Sequence, residues 1–255
     1  MTKSESFFDI FNKKNLENMH MLNSYINDSS EKNIHDIRIS IRRLESVYVI
    51  LPNSSKTKIS DKYIQQLKHF FSLSNKIRDY DIILKKLNEY GHDPESKLVL
   101  TLMKKKFKRI IKSLTFAEKL LKFKKLKIKH KKINLKFERK ILSLINDFRN
   151  SIPIVINDES KVNELHSMRK IIKKLRYILE TDPRNSHQNI ISKMKQLQKI
   201  LGNIHDCDIT VWYLQKNEKK FSNLSEMINS EKSKRHILYR ELTTMLSSFE
   251  SKEKN

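Results

Sequence analysis

The chain has 255 residues and a formal net charge of +24, set by 53 lysines and arginines against 29 aspartates and glutamates, so its partner is expected to be a polyanion. Two glycines, four prolines and one cysteine exclude a fold of many strands and tight turns, a glycine-cradle phosphate site, an internal disulfide and a metal site of cysteine pairs. Hydrophobic content of 38% is enough for a core, whereas no apolar run approaches the ~18 residues of a membrane span and the start MTKSESFFDIFNKKN lacks a signal-peptide segment; a soluble, cytoplasmic protein is expected.

Serines, asparagines and prolines punctuate the chain at 27–30, 52–60, 91–95, 150–160, 181–187 and 217–223, where helices are expected to end. The first half then reads as helices near 4–27, 31–51, 60–90 and 95–127. The third is expected to open at Ser60-Asp61 and close at Gly91, and the fourth to carry Pro94 in its first turn. The second half reads as helices near 133–150, 159–181, 186–217 and 221–251. The segment LKFKKLKIKHKK at 121–132 partly alternates apolar and basic residues and suits a frayed helix end, a loop or a short extended piece. It belongs to the most cationic stretch, Lys104 to Lys140, which holds 17 basic and 2 acidic side chains. The fold class is all-α, one domain over 1–255 made of two four-helix repeats, 1–132 and 133–255, related by a pseudo-twofold axis.

The second helix carries HDIRISIRRLESV at 35–47. At about 100° per residue, His35, Arg38, Arg42 and Arg43 share one broad face. Ile34, Ile37, Ile41, Leu44 and Tyr48 fall on the opposite side as an apolar stripe. A solvated basic face is the ordinary explanation of one such helix. It recurs, however, as HSMRKIIKKLRYI at 166–178, with His166, Arg169, Lys173, Lys174 and Leu175 each standing 131 residues after its counterpart. Lys170, Arg176 and Tyr177 join the second face, Tyr177 with a hydroxyl to offer or as packing. A chance solvated surface has no reason to repeat in phase.

A second pair follows at a shift of 127. NKIRDYDIILKKL at 75–87 aligns with GNIHDCDITVWYL at 202–214, so Asp79 and Asp81 match Asp206 and Asp208, and Lys68 and Lys195 precede each pair by eleven residues. Aspartates two apart point about 200° away from each other on a helix and cannot share a metal there. A supporting role is expected for all four, each carboxylate holding a neighbouring cation.

Four blocks, HDIRISIRRL, KIRDYDIIL, LHSMRKIIKKLRYILE and LQKILGNIHDCDI, resemble in order and separation the CHAD domain, an all-helical family named for its histidines. The resemblance covers most of the chain. It implies a pair of four-helix bundles around a shared basic cavity, binding of inorganic polyphosphate, no catalytic activity and no cofactor. Members stand alone or beside a triphosphate tunnel domain, for which this length leaves no room. Lysine at 173 and 174 replaces a frequent arginine, and histidine at 205 stands opposite Arg78; the lysines keep the charge and lose the bidentate fork.

The candidate polyphosphate ligands are therefore His35, Arg38, Arg42, Arg43 and Lys68 from the first repeat. From the second they are His166, Arg169, Lys170, Lys173, Lys174, Arg176, Tyr177 and Lys195. Phosphate oxygens are charged acceptors, and Arg, Lys and protonated His offer donors with positive charge. No serine sits in a nucleophile elbow, and His205 and Cys207 face apart on a helix, so no enzyme and no metal site is expected. Two alternatives stay open: a nucleic-acid binder, and an accessory or scaffold for a polyphosphate-metabolising enzyme, placed at polyphosphate granules.

Overall fold

The computed structural model describes residues 6–123, 128, 134–182, 184, 186–221 and 224–250. Its regular structure is eight α-helices and one 3-10 turn: α1 (Phe7–Asn27), α2 (Glu31–Ile50), the turn (Asn53–Ser55), α3 (Lys58–Glu89), α4 (Lys97–Leu121), α5 (Asn134–Ile156), α6 (Val162–Leu179), α7 (Gln188–Asn217) and α8 (Ser225–Glu250). There is no strand among the described residues. Most of the alternating segment at 121–132 lies outside them.

The helix starts follow local side-chain chemistry. Ser6 and Asp9 form a reciprocal capping box on α1, while Ser30 and Ser96 accept from the third residue of α2 and α4, each removing an unpaired N–H from the first turn. Several starts differ from the expected bounds by up to four residues, and two of them have a local cause. α3 begins at Lys58, ahead of Ser60-Asp61, because Thr57 and Ser60 exchange bonds of 2.9 and 3.1 Å. Pro94 precedes α4 in a turn closed by Ser96 N–H on the Asp93 carbonyl at 3.0 Å, so the helix opens only after it. Gly91, at φ +71°, ends the turn after α3, and the next N–H returns to the Leu87 carbonyl at 2.9 Å.

Two ends depart most: α4, expected to reach 127, ends at Leu121, and α5, expected to stop near 150, continues through Pro153 to Ile156. Proline removes one bond of the ladder, but Ile152 and Val155 are buried, and the Tyr239 hydroxyl lies 2.8 Å from both the Val155 and Ile156 carbonyls. A distant tyrosine thus satisfies the helix end that the local sequence leaves open.

The chain divides into two compact units. The first holds 1–88, 92–140 and 180–186, thus α1 to α4 and the first turns of α5. Phe8, Phe11, Leu22 and Tyr25 of α1 meet Ile34, Ile37, Ile41 and Leu44 of α2, Leu67 and Phe70 of α3, and Leu120 of α4 in its core. Buried polar bonds fix the register: Asn18 Nδ2 donates to Ser40 Oγ at 3.1 Å, Tyr63 Oη to Asn18 Oδ1 at 3.2 Å, and Tyr48 Oη to Asp61 Oδ1 at 2.8 Å. Tyr25 Oη lies 2.5 Å from Ser113 Oγ and ties α1 to α4. The second unit holds 89–91, 141–179 and 187–255. Its core takes Phe148 and Val155 of α5, Leu165, Met168, Ile172 and Leu175 of α6, Leu197, Leu201 and Ile204 of α7, and Tyr239, Leu242 and Leu246 of α8.

Candidate anion-binding site

Burial of Ile34, Ile37, Ile41, Leu44 and Val47 fixes the rotation of α2, so its basic face points away from the core. His35 is exposed, and Arg42 and Arg43 are half-buried. Arg38 is different. It is only 8% exposed; Nη1 donates to the Phe71 carbonyl at 3.1 Å and to Ser74 Oγ at 2.6 Å, and the guanidinium stacks 4.1 Å from the Phe71 ring centroid. Arg42 stacks on the same ring at 4.6 Å. Phe71 is thus a platform for two arginines one helical turn apart. Arg43 Nε lies 3.9 Å from Glu180 Oε2, and Lys68 is exposed on α3.

His35 is held below the usual histidine range by desolvation and then by the Arg78 guanidinium, with Arg38 and Arg42 adding to the effect against an opposing Asp36. Asp81 is 3% exposed and pairs through Oδ1 with Lys106 of α4 at 2.6 Å and through Oδ2 with Arg78 at 3.9 Å. Burial pushes its carboxyl upward, opposed by Lys106. Arg78 also pairs with Glu31, and Asp79 with Lys76 at 3.4 Å. The carboxylates of α3 therefore hold Lys76, Arg78 and Lys106, none of them a candidate ligand.

The second unit repeats the face with different partners. Leu165, Met168, Ile172, Leu175 and Leu179 bury the back of α6. His166, Arg169, Lys173 and Arg176 are half-buried, while Lys170, Lys174 and, on α7, Lys195 are exposed. His166 stacks on His205 with ring centroids 5.2 Å apart and planes 17° apart. Desolvation, followed by Lys170, His205, Arg169 and Lys173, brings His166 down to about 4. Tyr177 lies in the core at 3% exposure, beneath the Arg176 guanidinium at 4.4 Å. It packs the face instead of standing on it.

Asp206 Oδ1 is 3.4 Å from His205 Nδ1. Asp208 Oδ1 accepts from Arg235 Nε of α8 at 2.5 Å, and Arg235 also reaches the Glu159 carboxylate at 2.9 Å and carbonyl at 3.0 Å. His236 Nδ1 lies 2.7 Å from the other Glu159 oxygen. In each unit the second aspartate of the pair thus holds a cation on the following helix, Lys106 on α4 and Arg235 on α8. Sequence reasoning missed both cations, as well as Phe71 and Ser74. Neither repeat pointed to Lys106 and Arg235, since the shifts of 127 and 131 carry position 106 to Ser233 and Ile237, and nothing pointed to Phe71, because Gln198 and Leu201 occupy the places of Phe71 and Ser74 in the second half.

On each face desolvation, reinforced by neighbouring cations, disfavours the charged form of the histidine. An anion held beside such a ring would favour its charged form. No group of three or more histidine, cysteine or carboxylate side chains that could hold a metal occurs among the described residues. No helix among them is long and apolar enough to cross a membrane.

The fold is similar to the crystal structure of the CHAD domain from the plant Ricinus communis, at 12% sequence identity and a TM-score of 0.61, covering 96% of this chain and 91% of that one. No curated protein matches the sequence. The family model of the CHAD domain matches residues 19–215, spanning the histidine-led face of each unit and both aspartate pairs, and the chain belongs to the CHAD domain family.

Proposed function

We propose that this chain binds inorganic polyphosphate without consuming it, through the basic faces of both repeats. The observation that carries the reading is the doubled histidine-led face, which sets His35, Arg42 and Arg43 on α2 and His166, Arg169 and Lys173 on α6 opposite the buried apolar stripe of each helix. A polyphosphate has charge at every unit and no bases to read, so a row of donors of one sign is a sufficient receptor. Membership in the CHAD family supports the same ligand. Asp81 and Asp208 act as positioning groups, fixing α4 and α8 to the helices that follow each basic face. The single thiol, Cys207, is buried and out of reach of a substrate. The reading expects a cytoplasmic protein; placement at polyphosphate granules beside a polyphosphate-metabolising enzyme belongs to the alternative of an accessory or scaffold role.

The test is titration with triphosphate, long-chain polyphosphate and single-stranded RNA at two salt concentrations. Affinity is expected to rise with chain length, to fall steeply with salt as condensed counterions are released, and to favour polyphosphate over RNA of equal charge, with no phosphate released in magnesium. Preference for RNA would make the protein a nucleic-acid binder. A flat response from triphosphate to long chains would mean a small nucleotide pocket.

A further inference from the structure

The Lys104 to Lys140 stretch is not only basic. The helix that runs into it, α4, leaves Leu100, Met103, Phe107 and Ile111 exposed, Phe107 at 63%. Their spacing of three and four residues sets them in one seam along the helix, about 17 Å long at ~1.5 Å per residue. Half-buried Ile110 and Leu114 continue the seam towards the core. Lys104, Lys108 and Lys112, all exposed, run at four-residue intervals along one edge of it. The other edge turns into the protein through Leu102, Ser113, Ala117 and Leu120, all buried. An apolar row of this size, lined by charge of one sign, is the surface of a helix that lacks its neighbour.

We infer that this seam docks an amphipathic helix of a partner protein whose flanking residues are acidic. The spacing of the seam accepts one helix packed alongside, with every third or fourth residue inserted. The lysine row requires carboxylates on the facing edge, which rules against a second copy of this chain, since at a net charge of +24 it would bring like charge to the contact. A bilayer surface suits the geometry poorly, because the exposed apolar strip is a single helix wide and is basic along one edge only. The inference does not depend on polyphosphate binding, whose candidate ligands lie on other helices.

A labelled three-heptad synthetic peptide with leucine at the seam-facing positions and glutamate beside them is the probe, titrated against the full chain. Binding is expected, weakened at least tenfold by Met103→Ser with Phe107→Ser, and weakened by Lys104→Glu with Lys108→Glu. A control peptide keeping the glutamates but with serine at the seam positions should bind weakly and equally to the parent and the serine variant. Leu100→Ser with Ile111→Ser is a second, independent seam variant, and circular dichroism should be unchanged for both because the side chains are exposed. No binding, or equal binding by parent and both seam variants, would overturn the inference. So would seam-dependent binding to phosphatidylglycerol vesicles in place of the peptide, or a concentration-dependent dimer that the seam variants abolish. Polyphosphate affinity should be the same in the seam variants and the parent.

Discussion

The faces of α2 and α6 have matched sequences and unlike surroundings. On α2 the first arginine is buried, bonded to the Phe71 carbonyl and Ser74, and stacked with Arg42 on one phenyl ring. On α6 the corresponding positions of the neighbouring helix hold Gln198 and Leu201, two of the cations are lysines, and the histidine is stacked on a second histidine. Planar guanidinium groups fixed on a ring offer donors in set directions, whereas ammonium groups on flexible stems supply charge without a fixed fork. Fixed geometry therefore belongs to the first face, and the larger proton response to the second.

The largest expected effect concerns the supports beneath the faces. Asp81→Ala removes a buried carboxylate that holds Lys106 and Arg78, and should cost about 3 kcal/mol of stability. Asp208→Ala should cost only about 1 kcal/mol, because Arg235 keeps both of its contacts with Glu159. Urea unfolding of the two variants checks the difference, and equal losses would remove the asymmetry.

The next effect is in pH. His166 has an ordinary value of 6.5 and a folded value of about 4. The unfolded chain therefore takes up a proton first, and the stability from this neutral ring, fully present above pH 6.5, is lost as pH falls towards 4. A bound polyanion reverses the shift, so polyphosphate affinity should rise on acidification and binding should take up protons. Calorimetry in buffers of different ionisation enthalpy measures that uptake. His166→Gln should reduce it, and His35→Gln, whose parent ring is also held low, should reduce it too. Uptake unchanged in both variants would separate the histidines from the ligand.

The smallest effect is at the platform. Phe71→Leu keeps an apolar side chain and removes the ring, and cation–π contacts are worth about 0.5–1 kcal/mol when exposed. Triphosphate affinity should fall two- to fivefold at about that energy, with proton uptake unaltered. Gln198→Leu, at the matched place in the second half, should leave affinity unchanged.

These asymmetries were the part of the site that the sequence concealed. The two faces were legible because a helix repeats every 3.6 residues, and the isoleucines and leucines of α2 and α6 mark the buried side without reference to the rest of the fold. The eight helices were legible for a related reason: with so few glycines and prolines, the capping serines stand out, and Ser6, Ser30 and Ser96 open the helices they border. What escaped depends on contacts between elements far apart in sequence. Arg38 reads as a surface cation until Phe71 and Ser74 are seen to take it in, and Tyr177 reads as a donor until its burial is known. The run of α5 past Pro153 rests on Tyr239, which lies 86 residues further along the chain.

The central claim is that the repeated faces, and not the lysine-rich stretch, hold the polyanion. Its direct measurement is the affinity for long-chain polyphosphate of Arg42→Glu and of Lys173→Glu, set beside a variant with Lys122, Lys124, Lys127 and Lys129 all changed to glutamine. Charge-assisted contacts of about 1.5–3 kcal/mol predict at least tenfold loss for either face variant and a smaller loss for the four-lysine variant, although the latter removes more charge. Helical content must be equal throughout by circular dichroism. Equal or greater loss from the four-lysine variant would contradict the account and leave a diffuse polyanion binder with two solvated faces.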